Sequence, residues 1–432
     1  MSDITLERPS KCYEETKQLI HIFRGYRYFM HKLSFRLSIF ALLLSMNGLK
    51  AFADEFSRQQ VSQPRLLHKI LKNDSPLKAE NRQDGFDKNL LKSRFSSWGV
   101  DPDNSSSSIN LAPVWDKFKK RKEIVVAVID TGIDPKHPFL SDNLHVTKGI
   151  AGVNNFGLDF SKDRIAESRP FDSHGHGTHV AGIVKSIHPD VKILTLKYYN
   201  PKASGQDNLN STIEALRYAV NQNVDIINYS GGGPEPALEE LRILKLAEKK
   251  GILVVAAAGN EESNIDQRAN AYYPASYGLK NIITVTAYNQ SLQLLSSSNY
   301  GKETVDISAP GYRIKSALPN GRAGYLTGTS QATAFVTGVA ALLMSQYPEL
   351  TAVQAKEILK KSARKEATLL TKCSSGGRLD ADRSFTLADE FIKNRKKARD
   401  IANRYPNSVD PKKMKRSKKS KKQGKIIFRK SS

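Results

Sequence analysis

Five stretches of the chain are near-continuously apolar and only as long as a strand: residues 124–130 (IVVAVID), 191–198 (VKILTLKY), 224–230 (VDIINYS), 252–258 (ILVVAAA) and 281–287 (NIITVTA). A strand with one wetted face alternates apolar and polar residues, whereas a strand covered on both faces does not. These runs therefore predict a parallel sheet lying between two layers of helices. Patterns of helical period fall between and after them, at 178–187, 211–221, 237–250 and 333–346. Thr351 with Gln354 has the spacing of a capping box and opens a further helix through Ala363. The alternation predicts a doubly wound α/β domain with a mainly parallel central sheet flanked by helices.

Composition narrows the class. With 39% hydrophobic and 25% charged residues in 432, the chain has the material for a large core, so wholesale disorder is excluded. No run reaches the roughly 18 apolar residues of a spanning helix, which excludes a polytopic membrane protein. Two cysteines, Cys12 and Cys373, exclude a disulfide framework. The net charge is +24, and residues 393–432 hold 17 Lys and Arg against Asp400 and Asp410, so most of the surplus sits in that tail.

Near the other end, Met30 is followed by His31, Lys32 and Arg36, the apolar stretch 37–46 and then Ala51-Phe52-Ala53. That order of basic, apolar and small residues predicts a signal peptide cleaved after Ala53, with translation starting at Met30 and the product secreted or periplasmic. Cleavage would remove Cys12 and leave Cys373 without an intrachain partner. The expected organisation is a leader over 1–53, a linker or short pro-segment over 54–108, a catalytic domain over 109–390 and a basic, disordered tail over 391–432. The run KKMKRSKKSKKQGK at 412–425 reads as a solvated charge tract or as a contact for an anionic surface or polyanion.

In an open parallel sheet, sites form beyond the carboxyl ends of the strands and at the amino ends of the following helices. Asp130 closes the first apolar run just before Thr131-Gly132, His176 lies where the helical pattern after Gly175 begins, and Ser330 stands at the mouth of an apolar helix. A serine hydroxyl needs a base whose pKa is near neutrality, and imidazole supplies one. The imidazole in turn needs a carboxylate that fixes its tautomer and tolerates its charge. The oxyanion of an acyl-transfer intermediate needs fixed donors, for which Asn260 at the end of ILVVAAA and the backbone N–H of Ser330 are placed. The crowding of His174, His176 and His179 lacks the HExxH pattern of a zinc site.

With these motifs the chain resembles the subtilisin-like serine proteases, or subtilases (peptidase S8 type). DTG at 130–132, HGTHVAG at 176–182, SGGGP at 230–234, AAGN at 257–260, SAPG at 308–311 and GTSxA at 328–332 follow that family's order, Asp then His then Ser. The resemblance covers about residues 109–390. It implies Asp130 as orienting acid, His176 as general base and acid, Ser330 as nucleophile and Asn260 as oxyanion donor. It further implies that Ser230, Gly231 and Gly232 pair with substrate as an added strand, and that Ala257, Ala258 and Gly259 wall the pocket for the residue supplying the scissile carbonyl.

Several positions depart from the family pattern. Ala334 and Phe335 stand where relatives have proline and histidine behind the serine, and Phe139 replaces an acid. The segment between Gly182 and Val191 is too short for a common calcium loop, so no metal and no cofactor is expected. Tyr272 falls where relatives often have glycine at the pocket floor, which implies a shorter pocket, and Glu261 at its rim implies a preference for basic residues. The expectation is an exported, monomeric serine endopeptidase acting on peptides or proteins through an acyl-enzyme. The competing expectation is a non-catalytic subtilase-like scaffold whose basic tail binds an anionic partner.

Overall fold

The computed structural model describes residues 86–148, 154–161 and 169–404. The expected leader over 1–53, its cleavage position, and the lysine tract at 412–425 lie outside the described residues. In chain order the strands are β1 (Val125–Asp130), β2 (Thr147–Lys148), β3 (Asn154–Asn155), β4 (Gly157–Asp159), β5 (Lys192–Lys197), β6 (Ile226–Tyr229) and β7 (Leu253–Ala257). They continue with β8 (Ile282–Tyr288), β9 (Ile307–Pro310), β10 (Ile314–Leu318), β11 (Arg322–Leu326), β12 (Arg364–Lys365) and β13 (Gly377–Arg378). The helices are α1 (Ala112–Lys117), α2 (His176–Ile187), α3 (Gly205–Asn221), α4 (Leu238–Lys250), α5 (Thr329–Gln346), α6 (Ala352–Ser362) and α7 (Ala381–Arg404).

The main sheet runs β12-β13-β9-β8-β7-β6-β1-β5-β4, and every neighbouring pair is parallel except β12 with β13 at the edge. Successive side chains on a strand point to opposite faces. Val126 and Val128 of β1 accordingly join Ile193, Val255 and Val285 under α2, α5 and α6, whereas Ala127 and Ile129 join Leu194, Val254 and Ala256 under α3 and α4. Both faces are apolar because both are covered, which is why the five runs show no alternation. Each such Val, Ile or Leu adds about 1.5–3 kcal/mol on burial.

Local chemistry sets the helix ends. Thr351 Oγ1 accepts from Gln354 N at 3.2 Å while Gln354 Oε1 accepts from Thr351 N at 3.0 Å, the reciprocal capping box expected from the spacing. Ser204 caps α3 by accepting from Asp207 N at 3.1 Å. Helix α5 is unlike the others, since residues 329–345 are all buried. An all-round apolar helix belongs inside a protein, and α5 packs among the sheet, α2, α6 and α7.

Two boundaries differ from the expectation. Residues 86–108, within the segment expected as a linker or short pro-segment, pack on the body through Leu91, Phe95 and Val100, which are buried. Trp98 Nε1 donates to Tyr312 O at 2.9 Å, and Tyr288 Oη donates to Ser107 O at 2.8 Å. Arg378, fully buried, donates to Ser108 O at 2.6 Å, to Ser106 O at 2.8 Å and to Glu366 Oε1 at 2.9 Å. The serine run is thus tied down by a guanidinium some 270 residues away. At the other end, α7 carries the fold through Arg404, so 391–404 are helical and not disordered; Phe385 and Ala388 fix this helix to the core and Asp389 accepts from Tyr347 Oη at 2.8 Å.

The clamp yields an expected outcome. Replacing Arg378 by Met leaves the Glu366 carboxylate and two carbonyls without their donor, and removing one partner of a buried ion pair costs about 3–5 kcal/mol. The urea midpoint of Arg378→Met should fall accordingly, with early protease cleavage within 86–108. An unchanged midpoint would contradict the clamp.

Candidate active site

Three neighbouring strands deliver three of the expected residues. The register pairs Ile129 of β1 with Tyr229 of β6, and Tyr229 with Ala256 of β7. The carboxyl ends of β1, β6 and β7 therefore stand side by side and present Asp130, Ser230 and the turn to Asn260 in a row. Helix α2 starts with His176 directly against the end of β1. A Cβ on Gly177 would lie 2.2 Å from Gly132 O and 3.2 Å from Asp130 Cβ, so only glycine allows the helix to come this close.

His176 Nδ1 lies 2.7 Å from Asp130 Oδ1, which also accepts from Thr131 N at 2.7 Å. Asp130 is nearly inaccessible at 2%, whereas the His176 side chain keeps 24% exposure. A carboxylate accepts, so Nδ1 carries the proton and Nε2 is left as the basic nitrogen. Burial pulls the His176 pKa down, but the charge and hydrogen bond of Asp130, with help from Asp172, outweigh it and leave the imidazole above its ordinary 6.5.

The flanking histidines have other partners. His179 Nε2 donates to Ile314 O at 2.9 Å and Gly324 O at 3.2 Å, stapling α2 to the β10–β11 hairpin. Full burial and the neighbouring His176 depress its pKa to about 3, so it is neutral. His174 stacks edge-on against Tyr199, with ring centroids 5.6 Å apart.

Asp172 is the residue that the sequence reading missed. Its Oδ1 accepts from Thr131 Oγ1 (2.9 Å), His174 N (3.0 Å) and Gly175 N (2.7 Å), and its Oδ2 accepts from Thr178 N (2.9 Å) and Thr178 Oγ1 (2.6 Å). Thr131 Oγ1 accepts in turn from Gly177 N at 2.8 Å. One buried carboxylate thus holds the entrance to α2 against the turn after β1. Burial pushes its pKa up, yet the hydrogen bonds from Gly175, Thr178 and Thr131 together hold it below the usual carboxylate range. The available signal was an aspartate four positions before His176 in a loop of donors.

Ser330 lies in the first turn of α5, where backbone N–H groups have no acceptor within the helix. Its Oγ donates to Ser230 O at 2.9 Å, and Ser230 Oγ donates back to Ser330 O at 3.3 Å. Behind this pair, Asn228 Nδ2 donates to Ser230 Oγ at 2.8 Å, and Thr337 Oγ1 donates to Asn228 Oδ1 at 2.8 Å. Asn228 thereby fixes the segment beside the serine.

Asn260 is oriented by its neighbour on α5. Its Oδ1 accepts from Thr329 N at 3.0 Å and Thr329 Oγ1 at 3.2 Å. Because a backbone N–H can only donate, Oδ1 must face Thr329, which leaves the Nδ2 amide free among the described residues. Ala257 and Ala258 are buried at the end of β7, and Gly259 joins them to Asn260. On the facing side, Gly231 lies under Tyr198 Oη, and Gly232 keeps its backbone N–H and C=O without partners among the described residues. The arrangement thus offers a carboxylate-held imidazole, a hydroxyl on a helix amino terminus, an amide donor beside it and an open backbone edge. These are the parts required for acyl transfer to a serine.

Residues 121–386 match the model of the subtilase family. The major intracellular serine protease of Bacillus subtilis (strain 168) is 38% identical over 250 residues, covering 56% of this chain and 74% of that protein. Subtilisin E of Bacillus subtilis (strain 168) is 36% identical over 250 residues, 56% of this chain and 60% of its own length. In the structure described as the crystal structure of a lanthipeptide protease, 87% of that chain aligns with 61% of this one at a TM-score of 0.51 and 26% identity. The chain belongs to the subtilase family of serine proteases.

Proposed function

We propose that this subtilase is an exported endopeptidase that cleaves peptide bonds through an acyl-enzyme on Ser330. The observation that carries the reading is the 2.7 Å bond between His176 Nδ1 and Asp130, which places the proton of the neutral ring on Nδ1 and leaves Nε2 as the basic nitrogen. In the proposed reaction Ser330 Oγ gives up its bond to Ser230 O and offers its proton to that nitrogen. As Oγ attacks the scissile carbonyl carbon, the proton passes to His176 Nε2 and Asp130 balances the imidazolium. The negative charge that develops on the carbonyl oxygen meets Asn260 Nδ2 and the N–H of Ser330, donors already in place and aided by the α5 dipole. His176 then gives its proton to the departing amine. Water attacks the ester by the same route in reverse, returning Ser330. Substrate backbone pairs with the open edge at Ser230, Gly231 and Gly232, while Ala257, Ala258 and Gly259 border the residue that carries the carbonyl.

Export rests on the basic, apolar and small residues between Met30 and Ala53. Among the described residues no helix is long and apolar enough to cross a membrane. Sequencing the amino terminus of the protein recovered outside the cytoplasm should give Asp54 first; retention of the residues before Ala53 would contradict cleavage there.

Kinetics of two variants test the mechanism. Ser330→Ala should abolish both turnover and fluorophosphonate labelling with an unchanged circular dichroism spectrum, and retained turnover would refute the assignment. Asn260→Ala should lower kcat about 10²- to 10³-fold with little change in KM, because its donor acts on charge that appears only in the transition state.

The pH profile follows from the imidazole. The protonated form cannot accept the serine proton, so kcat/KM should fall as pH drops through the raised pKa of His176, with a midpoint above 6.5. Removing the Asp130 charge removes an upward push, so the His176 titration followed by NMR should move to lower pH in Asp130→Asn. A wild-type midpoint at or below 6.5 would contradict the electrostatic account.

A further inference from the structure

We propose that Tyr272 closes the slot beside Ser330 and restricts this protease to bonds whose carbonyl comes from a small residue such as alanine, serine or glycine. The inference rests on the roles given above to Ser330 and Asn260. The two segments that border the serine each carry a glycine facing the same ring. A Cβ built on Gly232 would stand 2.4 Å from Tyr273 O and 2.5 Å from Cε1 of Tyr272, and one built on Gly259 would stand 2.4 Å from Asn299 Nδ2 and Glu261 Oε2 and 3.0 Å from Cε2 of Tyr272. The phenol therefore spans the gap between the segments with one edge against each. A long or aromatic substrate side chain entering between these segments would meet an aromatic ring of the protein.

The ring is held there from below and behind. It packs on the cluster of Ala258, Ile265 and Ala275. The Tyr272 backbone N–H donates to Ser276 Oγ at 3.0 Å, and its carbonyl accepts from Ser276 N at 2.8 Å. Tyr273 next to it exchanges both backbone bonds with Gly233, at 3.0 and 2.7 Å. These bonds tie the segment carrying the ring to the strand that receives substrate, so backbone withdrawal would break the receiving edge as well. Burial and the nearby Glu261 charge push the Tyr272 hydroxyl well above its ordinary value, which keeps the plug neutral. Glu261 itself is turned to Asn299, whose Nδ2 donates to Oε2 at 2.5 Å. The acid at the rim thus has a partner within the protein, and ring volume is the constraint that remains. A methyl or hydroxymethyl side chain fits against the ring, whereas a benzyl or isobutyl group has to displace it from both glycines. Differences of this size in a pocket change kcat/KM by about 10- to 200-fold.

The test compares peptides that differ only in the residue supplying the carbonyl, with Ala, Ser, Leu, Phe and Lys at that position. Full-length wild type should cleave the Ala and Ser peptides at least about tenfold more efficiently than the Phe and Leu peptides. Tyr272→Gly should raise the Phe-to-Ala ratio of kcat/KM at least about tenfold, and Tyr272→Ser provides the same reading should the glycine variant fail to fold. A wild type that prefers Phe or Leu, or a ratio unchanged in the variants while fluorophosphonate still labels the enzyme, overturns this proposal alone. A wild type that neither labels nor cleaves any peptide of the series overturns the reading of Ser330 and this proposal with it.

Discussion

The hydrogen bond from His176 to Asp130 joins the first residue of one helix to the last residue of a central strand, and the rest of the site is arranged so that this contact can form. It needs a sheet in which β1, β6 and β7 end side by side, which parallel pairing with crossover helices provides. It needs the mouth of α2 within touching distance of the turn after β1, which Gly177 permits by having no Cβ. The site also needs a serine held at fixed depth, which helix α5, buried over 329–345, supplies. Polar chemistry at the carboxyl ends is thereby positioned by packing in the apolar layers beneath it.

Little of this positioning is left to side chains that could drift. Asp172 gathers five donors from the loop and the first turn of α2, so the histidine arrives on a backbone already fixed before any substrate binds. The chain from Thr337 through Asn228 to Ser230 does the same for the segment facing the serine. Asn260 takes its orientation from Thr329, the residue preceding Ser330, so its amide is tied to the same helix turn as the hydroxyl. In the proposed mechanism this arrangement means that donors need not reorganise as charge develops, which is the condition under which such groups stabilise a transition state.

The sheet was readable from sequence because strands covered on both faces show near-continuous apolar runs, as 124–129 and 252–258 do. Asp130, His176, Asn260 and Ser330 stand out in the sequence because each sits where such a run stops or a helix begins, beside the glycines those turns require. Contacts between distant parts of the chain were not readable. The serines at 105–108 look like linker until Arg378 is seen to hold their carbonyls, and the first part of the basic tail looks disordered until Phe385 and Ala388 are seen to anchor α7. Asp172 was hidden for a similar reason, since an aspartate in a polar loop shows its role only through the five donors folded around it.

The most direct test of the account is a diffraction structure of the enzyme inhibited by a peptide boronic acid with alanine at the boron-bearing position. The account expects boron bonded to Ser330 Oγ, one boron oxygen accepting from Asn260 Nδ2, and His176 between the adduct and Asp130. Boron attached to another residue, or an Asn260 amide turned away from the adduct, would contradict it.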